Sequence, residues 1–220
     1  MTSLIIIPAL NESGTIAEVI RGIRENCNND ILVVDDCSQD NTGEIVVKNH
    51  AELITLPYNL GAWGAIQTGM RYALFKGYAS ILTMDGDNQH RPEHIPELFE
   101  LIDRGNDIAI GSCLGRGSFL KQVAWPLLRK LAGIDIEDFT SGFRAYNRSA
   151  MELLLSNESF FLDYQDIGVL LLCKRNNLKV CEIQVRMNQR ENGKSRIFTN
   201  ARLILKYFIS TLFLISTKRW

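Results

Sequence analysis

A chain of 220 residues, 46% hydrophobic and 22% charged, can form one domain with a substantial core, or one domain with an appendage. Its net charge of −1 hides an asymmetry: residues 1–173 carry 13 Lys/Arg against 23 Asp/Glu, whereas residues 174–220 carry 11 against 2. A basic C-terminal end suits an anionic partner such as a phosphate or a lipid surface, and no nucleic-acid reader motif accompanies it. The five cysteines, at 27, 37, 113, 173 and 181, are odd in number and form no C-x-x-C pair. That argues against a zinc knuckle or a disulfide framework and fits a reduced, cytoplasmic setting. The opening "LIIIPAL" has no basic leader and is too short for a signal peptide, so it reads as a buried strand.

In chain order, strands are expected at Ser3–Ile7, Ile31–Val34, Glu52–Thr55, Ser80–Met84 and Asp107–Ile110. Helices fall between them at about 14–26, 41–49, 61–76 and 93–104. This alternation implies right-handed crossovers and a mainly parallel, Rossmann-like sheet with helices on both faces. The strands read as continuous apolar runs, as strands buried on both sides do. Ligands of such sheets sit outside the carboxyl ends of the strands, where "PALNES", "DDCSQDNT" and "MDGDNQH" all fall. Past residue 111 come a glycine-rich loop, a helix at about 118–132, the segment "DIEDFTSGFRAYNR", and helices at about 148–156 and 163–176. A late strand in "LKVCEIQV", a polar basic stretch "RMNQRENGKSR" and a helix over 197–217 complete the chain. No internal repeat or low-complexity segment interrupts it.

Asp85 and Asp87, one residue apart at the mouth of an apolar strand, are like charges that repel each other. A divalent cation turns that repulsion into coordination; the alternative is an acidic loop with Asp87 or Asn88 capping the next helix. Asp35 and Asp36 could accept hydrogen bonds from a ribose diol or a base edge. Equally, they could be solvated loop charges beside a helix capped by Asp40 or Asn41. The first strand is followed by "PALNESGT", not G-x-G-x-x-G, so no glycine cradle for a pyrophosphate is offered. A metal held by Asp85 and Asp87 would neutralise a diphosphate instead. Glycines 61, 64 and 69 in "NLGAWGAIQTGMRYAL" allow either close ligand approach or helix–sheet packing. "DFTSGFRAYNR" reads as a pocket wall or a tight turn. His50, His90 and His94 do not make a zinc set, and at most His90 joins a site.

Together these segments resemble family 2 glycosyltransferases of the GT-A fold, and within them the dolichyl/polyprenyl-phosphate sugar synthases. The resemblance spans nearly the whole chain and rests on "IPALNES", "VVDDCSQDNT", "NLGAWGAIQTGMRYA", "MDGDNQHRPE", "DFTSGFRAYNR" and "RENGKSR". It implies that Pro8, Ala9, Glu12 and Asp36 line a nucleoside pocket, which Asp85 also borders. It further implies that Asp85, Asp87 and Gln89 hold Mg²⁺ or Mn²⁺ and, through it, the diphosphate. Ser141, Arg144 and Arg196 would meet an acceptor phosphate, and Arg190 would close over the phosphates beside Arg196. The chain departs from the pattern at Gly86, where Ala is usual, at Cys113, where Arg is usual, and at Gly168, where Glu is common. With Gly168 there, Asp166 is the candidate general base should the acceptor be a hydroxyl.

The reaction so implied is metal-dependent, inverting transfer of a sugar from a nucleoside diphosphate to a polyprenyl phosphate. A hydroxyl acceptor in cell-envelope polysaccharide synthesis, a non-catalytic nucleotide-binding relative and a nucleotidylyltransferase are the alternatives, and a homo-oligomer stays open. The catalytic domain is expected over 1–196 and a C-terminal helix over 197–220. Arg202 and Lys206 break the apolar run of that helix, leaving it short of the roughly 20 residues a span needs. An amphipathic helix lying on the cytoplasmic face of a membrane, or packed on its own domain, is the expectation.

Overall fold

The computed structural model describes residues 2–113, 129–159, 162 and 166–188. Its first strand, β1 (Ser3–Ala9), carries Leu4, Ile5, Ile6 and Ile7 with no exposed surface at all. Side chains alternate across a strand, so a strand with both sets apolar needs cover on both faces. Leu4 and Ile6 enter one core with residues of α3 (Gly61–Lys76), α5 (Arg148–Leu154) and α6 (Ile167–Arg175). Ile5 and Ile7 enter the other, with α1 (Ile16–Asn26), Val46 of α2 (Thr42–Lys48) and α4 (Ile95–Asp103). Helices on both faces follow directly from that run of four aliphatic residues.

The remaining strands are β2 (Asp30–Asp35), β3 (Glu52–Thr55), β4 (Ser80–Thr83), β5 (Ile108–Ser112), β6 (Arg144–Asn147) and β7 (Val180–Gln184). They form one sheet in the order β3-β2-β1-β4-β6-β5-β7. Every pairing is parallel except the two made by β6, which runs antiparallel between β4 and β5 with Arg144 opposite Thr83 and Ile110. The mainly parallel sheet expected from the sequence is present, with strand ends within two residues of expectation. What the sequence reading missed is β6: four residues beginning with Arg, inside a segment read as turn or pocket wall. Its direction matters, because an antiparallel strand starts where its parallel neighbours end. "DFTSGF" is thereby delivered to the same edge as the D-G-D loop.

Residues 129–132 are helical, as the end of the expected 118–132 helix; the rest of it lies outside the described residues. The boundary at 196, the C-terminal helix, Arg190 and Arg196 lie outside them too. Among the described residues no helix is long and apolar enough to cross a membrane.

Asp36 accepts hydrogen bonds from the backbone N–H groups of Leu60 (2.6 Å) and Gly61 (2.9 Å), fixing the start of α3 over β1. Further along this helix, a Cβ at Gly69 would stand 2.6 Å from Cγ2 of the fully buried Ile6. Close packing of helix on strand, rather than ligand approach, therefore accounts for this glycine. Gly69→Ala should destabilise the protein by about 1–3 kcal/mol, the usual cost of overpacking. The midpoint of thermal unfolding should fall by about 2–4 °C per kcal/mol for a chain of this size. An unchanged midpoint would show that α3 can lift off β1 at no cost.

Candidate active site

At the carboxyl end of β4 the chain turns sharply through Asp85, Gly86 and Asp87, and four neighbours hold it. Thr15 Oγ1 donates to the Gly86 carbonyl at 2.7 Å, tying the loop to the head of α1. The Asp85 N–H donates to Nδ1 of His90 at 3.0 Å. In that arrangement the ring proton sits on Nε2, which lies 3.8 Å from Asp85 Oδ2. His90 is 3% exposed and stacks on Phe143 with ring centroids 4.9 Å apart. The third neighbour is Gly142, where a Cβ would stand 3.2 Å from Asp85 Oδ1, so only a bare backbone passes here without crowding the carboxylate. The fourth is Asn188, whose N–H donates to the Gln89 carbonyl at 2.9 Å. A Cβ at Gly86 would lie 3.4 Å from Glu12 Cγ, so alanine would fit there and glycine changes little.

The loops after β1 and β2 are laced together beside it. Asp40 accepts from the Ser13 N–H and from the N–H and hydroxyl of Thr42, and Thr42 Oγ1 accepts from the Glu12 N–H. Asn11 and Ser38–Gln39 exchange two further bonds. Asp35 and Asp36 are 4% and 3% exposed, so they are not solvated loop charges. Asp35 Oδ1 accepts from the Ser38 N–H, while Asp36 caps α3. Pro8 and Ala9, at the end of β1, stand in register with Val34 and Asp35. Pro8, Ala9, Glu12, Asp36, Asp85, Asp87 and Gln89 are thus drawn to one edge of the sheet, as expected.

Of the residues expected at the acceptor phosphate, Ser141 and Arg144 are held by backbone groups, and Arg196 lies outside the described residues. Arg144 has no exposed surface; Nε donates to the Ser141 carbonyl at 2.8 Å and Nη2 to the Phe139 carbonyl at 2.6 Å. Ser141 is 5% exposed, and its hydroxyl donates to the Gly111 carbonyl at 2.6 Å while accepting from the Phe143 N–H. Contact with a phosphate from the Ser141 hydroxyl, or from Nε or Nη2 of Arg144, would require those buried bonds to break, at about 1–3 kcal/mol for each group left unsatisfied, whereas Arg144 Nη1 is buried with no hydrogen-bond partner among the described residues. Both side chains instead shape the loop that sets Gly142 behind Asp85. Glu182 of β7 holds the start of the same loop, accepting from the N–H groups of Glu137 and Asp138. Asp166 is the N-cap of α6, accepting from the Gly168 N–H at 2.9 Å.

Among the described residues, no three His, Cys, Asp or Glu side chains gather closely enough to cage a metal alone. No Lys or Arg among them pairs with the Asp85 carboxylate, which is half exposed. Two carboxylates with a neighbouring amide oxygen are the hard-donor set of an ion that fills its remaining positions with substrate phosphates and water. The residues present therefore fit such a metal. Sequence reasoning missed Thr15 and Asn188, which act on the backbone of distant segments and leave no local signature.

This sheet, with its reversed strand and an acidic loop at the end of β4, is the GT-A glycosyltransferase fold. Solved structures of glucosyl-3-phosphoglycerate synthase from Mycobacterium tuberculosis superpose with a TM-score of 0.75, covering 96% of this chain and 79% of that one at 22% identity. Another structure of that enzyme, with Mn²⁺, uridine-diphosphate-glucose and phosphoglyceric acid, gives 0.74 over 96% and 79% at 21% identity. Residues 4–155 match the model of glycosyl transferase family 2, and the chain belongs to that family. It is 30% identical to the undecaprenyl-phosphate mannosyltransferase of Micrococcus luteus over 90% of this chain and 88% of that protein. The polyprenol monophosphomannose synthase of Mycolicibacterium smegmatis is 29% identical, over 89% and 80%. The dolichol-phosphate mannosyltransferase of Pyrococcus furiosus is 31% identical over 88% of this chain and 58% of its own length.

Partial burial pushes the Asp40 carboxyl up, but hydrogen bonds from Thr42 and Ser13 outweigh it and hold the pKa at about 2. A carboxylate depressed in the folded state adds stability that is complete above its ordinary pKa and is lost as pH falls through the folded value. The stability gap between the wild type and Asp40→Asn, followed by urea unfolding, should therefore hold steady above about pH 5 and close between about pH 4 and pH 2. A gap independent of pH would mean that the carboxylate charge does not hold these loops together.

Proposed function

We propose that this glycosyltransferase moves a sugar from a nucleoside diphosphate sugar to a polyprenyl phosphate, with inversion at the anomeric carbon and a divalent cation, Mg²⁺ or Mn²⁺. The observation that carries this reading is the Asp85/Asp87 pair at the carboxyl end of β4, held from four sides. The relatives named for polyprenol, undecaprenyl-phosphate and dolichol-phosphate substrates support the acceptor class.

In this reading Pro8, Ala9, Glu12 and Asp36 line the nucleoside pocket. Asp36 spends one lone pair of each oxygen on the head of α3, which leaves the others for a ribose or base edge. Asp85, Asp87 and Gln89 would hold the cation, which when bound supplies positive charge to the leaving diphosphate. Arg190 and Arg196, in the basic C-terminal stretch, add charge for the phosphates. A phosphate acceptor is already ionised at neutral pH, so the chain has no proton to remove from the nucleophile, and Asp166 is free to serve as a cap. The concentration of basic residues after 173 suits a surface that faces anionic lipid from the cytoplasmic side.

Asp87→Ala should lower transfer of labelled sugar to polyprenyl phosphate by about a thousand-fold, the scale of losing several kcal/mol of charge stabilisation. It should also remove the stimulation by Mn²⁺. Near-wild-type transfer in the presence of a chelator would overturn the metal role. Asp166→Asn keeps a good N-cap and deletes only the charge. With a phosphate acceptor the loss should stay below about tenfold, whereas a loss of about 10²–10⁴-fold, the usual worth of a general base, would point to a hydroxyl acceptor.

A further inference from the structure

We propose that Asn188 is a positioning residue for the acidic loop: it fixes the Asn88–Gln89 backbone so that Asp87 and Gln89 meet a divalent cation and a diphosphate together. The proposal rests on the metal-dependent reading given above.

Asn88 sits between those two side chains in the left-handed region, at φ +61. Asn tolerates that conformation better than most residues but still needs surroundings that hold it there. The Gln89 N–H turns back to Asp87 Oδ1 at 3.2 Å, closing a tight turn. Both carbonyls of the turn, Asn88 and Gln89, are then claimed by one residue 100 positions later. Asn188 Nδ2 donates to the Asn88 carbonyl at 3.1 Å, and the Asn188 N–H donates to the Gln89 carbonyl at 2.9 Å. Its Oδ1 accepts from Arg91 Nε at 2.9 Å. With a donor on one side and an acceptor on the other, the amide has one orientation, and only an amide of this length serves both.

The side chain is not what docks this segment. His90 pairs with Met187 in an antiparallel bridge, and the Arg186 N–H donates to His94 Nε2 at 3.1 Å. Those contacts, and the Asn188 N–H itself, survive truncation of the side chain. The amide side chain therefore adds orientation of the loop rather than attachment of the segment. Partners outside the ligand set of a metal commonly set its affinity by about 10–100-fold.

The test uses the full chain, as wild type, Asn188→Ala and Asn188→Asp. Calorimetry gives the Kd of UDP, GDP and the other nucleoside diphosphates with excess Mn²⁺ and again in chelator; the ratio of the two measures the coupling to metal. In Asn188→Ala the coupling should fall about tenfold or more, with the Kd in chelator and the melting temperature essentially those of the wild type. Asn188→Asp keeps the acceptor for Arg91 but sets a carboxylate oxygen against the Asn88 carbonyl, so it should lose as much. An unchanged coupling in either folded variant overturns the proposal. A parallel loss of affinity with and without metal, or a fall in melting temperature alone, reduces Asn188 to a structural contact and also overturns it. Absence of metal coupling in the wild type itself would instead sink the metal-dependent reading, and this proposal with it.

Discussion

Two carboxylates separated by one glycine have to be held facing outward against their mutual repulsion, and the hydrogen bonds around Gly86 do this. Thr15 fixes the Gly86 carbonyl, His90 takes the Asp85 N–H, and Asn188 takes the carbonyls beyond Asp87. Each of these comes from a different part of the chain: the head of α1, the start of the path into α4, and the stretch after β7. The loop is therefore correct only when the whole sheet is assembled. Gly142 completes the enclosure and depends on the reversed strand β6, because only an antiparallel insertion begins at this edge.

The same arrangement explains why so much polar chemistry sits on so apolar a frame. The strands are sealed on both faces by two cores, which leaves their carboxyl ends as the place where acidic side chains can keep contact with water. Asp35 and Asp36 are the exception, buried but satisfied by backbone N–H groups. By joining the loop after β2 to the head of α3, Asp36 makes the proposed nucleoside pocket and the packing of α3 on β1 parts of one structure.

Much of this was legible in the sequence. The aliphatic run at Leu4–Ile7, the periodicity of α3 and the placement of D-G-D after an apolar run fixed the parallel half of the sheet and the site edge. Local pattern does not carry long-range contacts, and those are what was missed. β6 is too short and too polar at its first residue to stand out, and Arg144 reads as a ligand because it stands with small polar residues and an acid in "DFTSGFRAYNR". Its work in holding the Phe139 and Ser141 carbonyls can be seen only once the loop is folded. Thr15 and Asn188 likewise act on backbone atoms far away in the chain, where residue type alone gives no hint.

In the proposed reaction the acidic loop at the end of β4 holds a cation together with a diphosphate. Anomalous scattering from crystals grown with Mn²⁺ and a nucleoside diphosphate tests it most directly. The expected result is a single strong peak between the Asp85 and Asp87 carboxylates, with diphosphate oxygens completing its coordination. A nucleoside diphosphate bound at this edge with no ion beside those carboxylates, or a peak at some other part of the molecule, would contradict it.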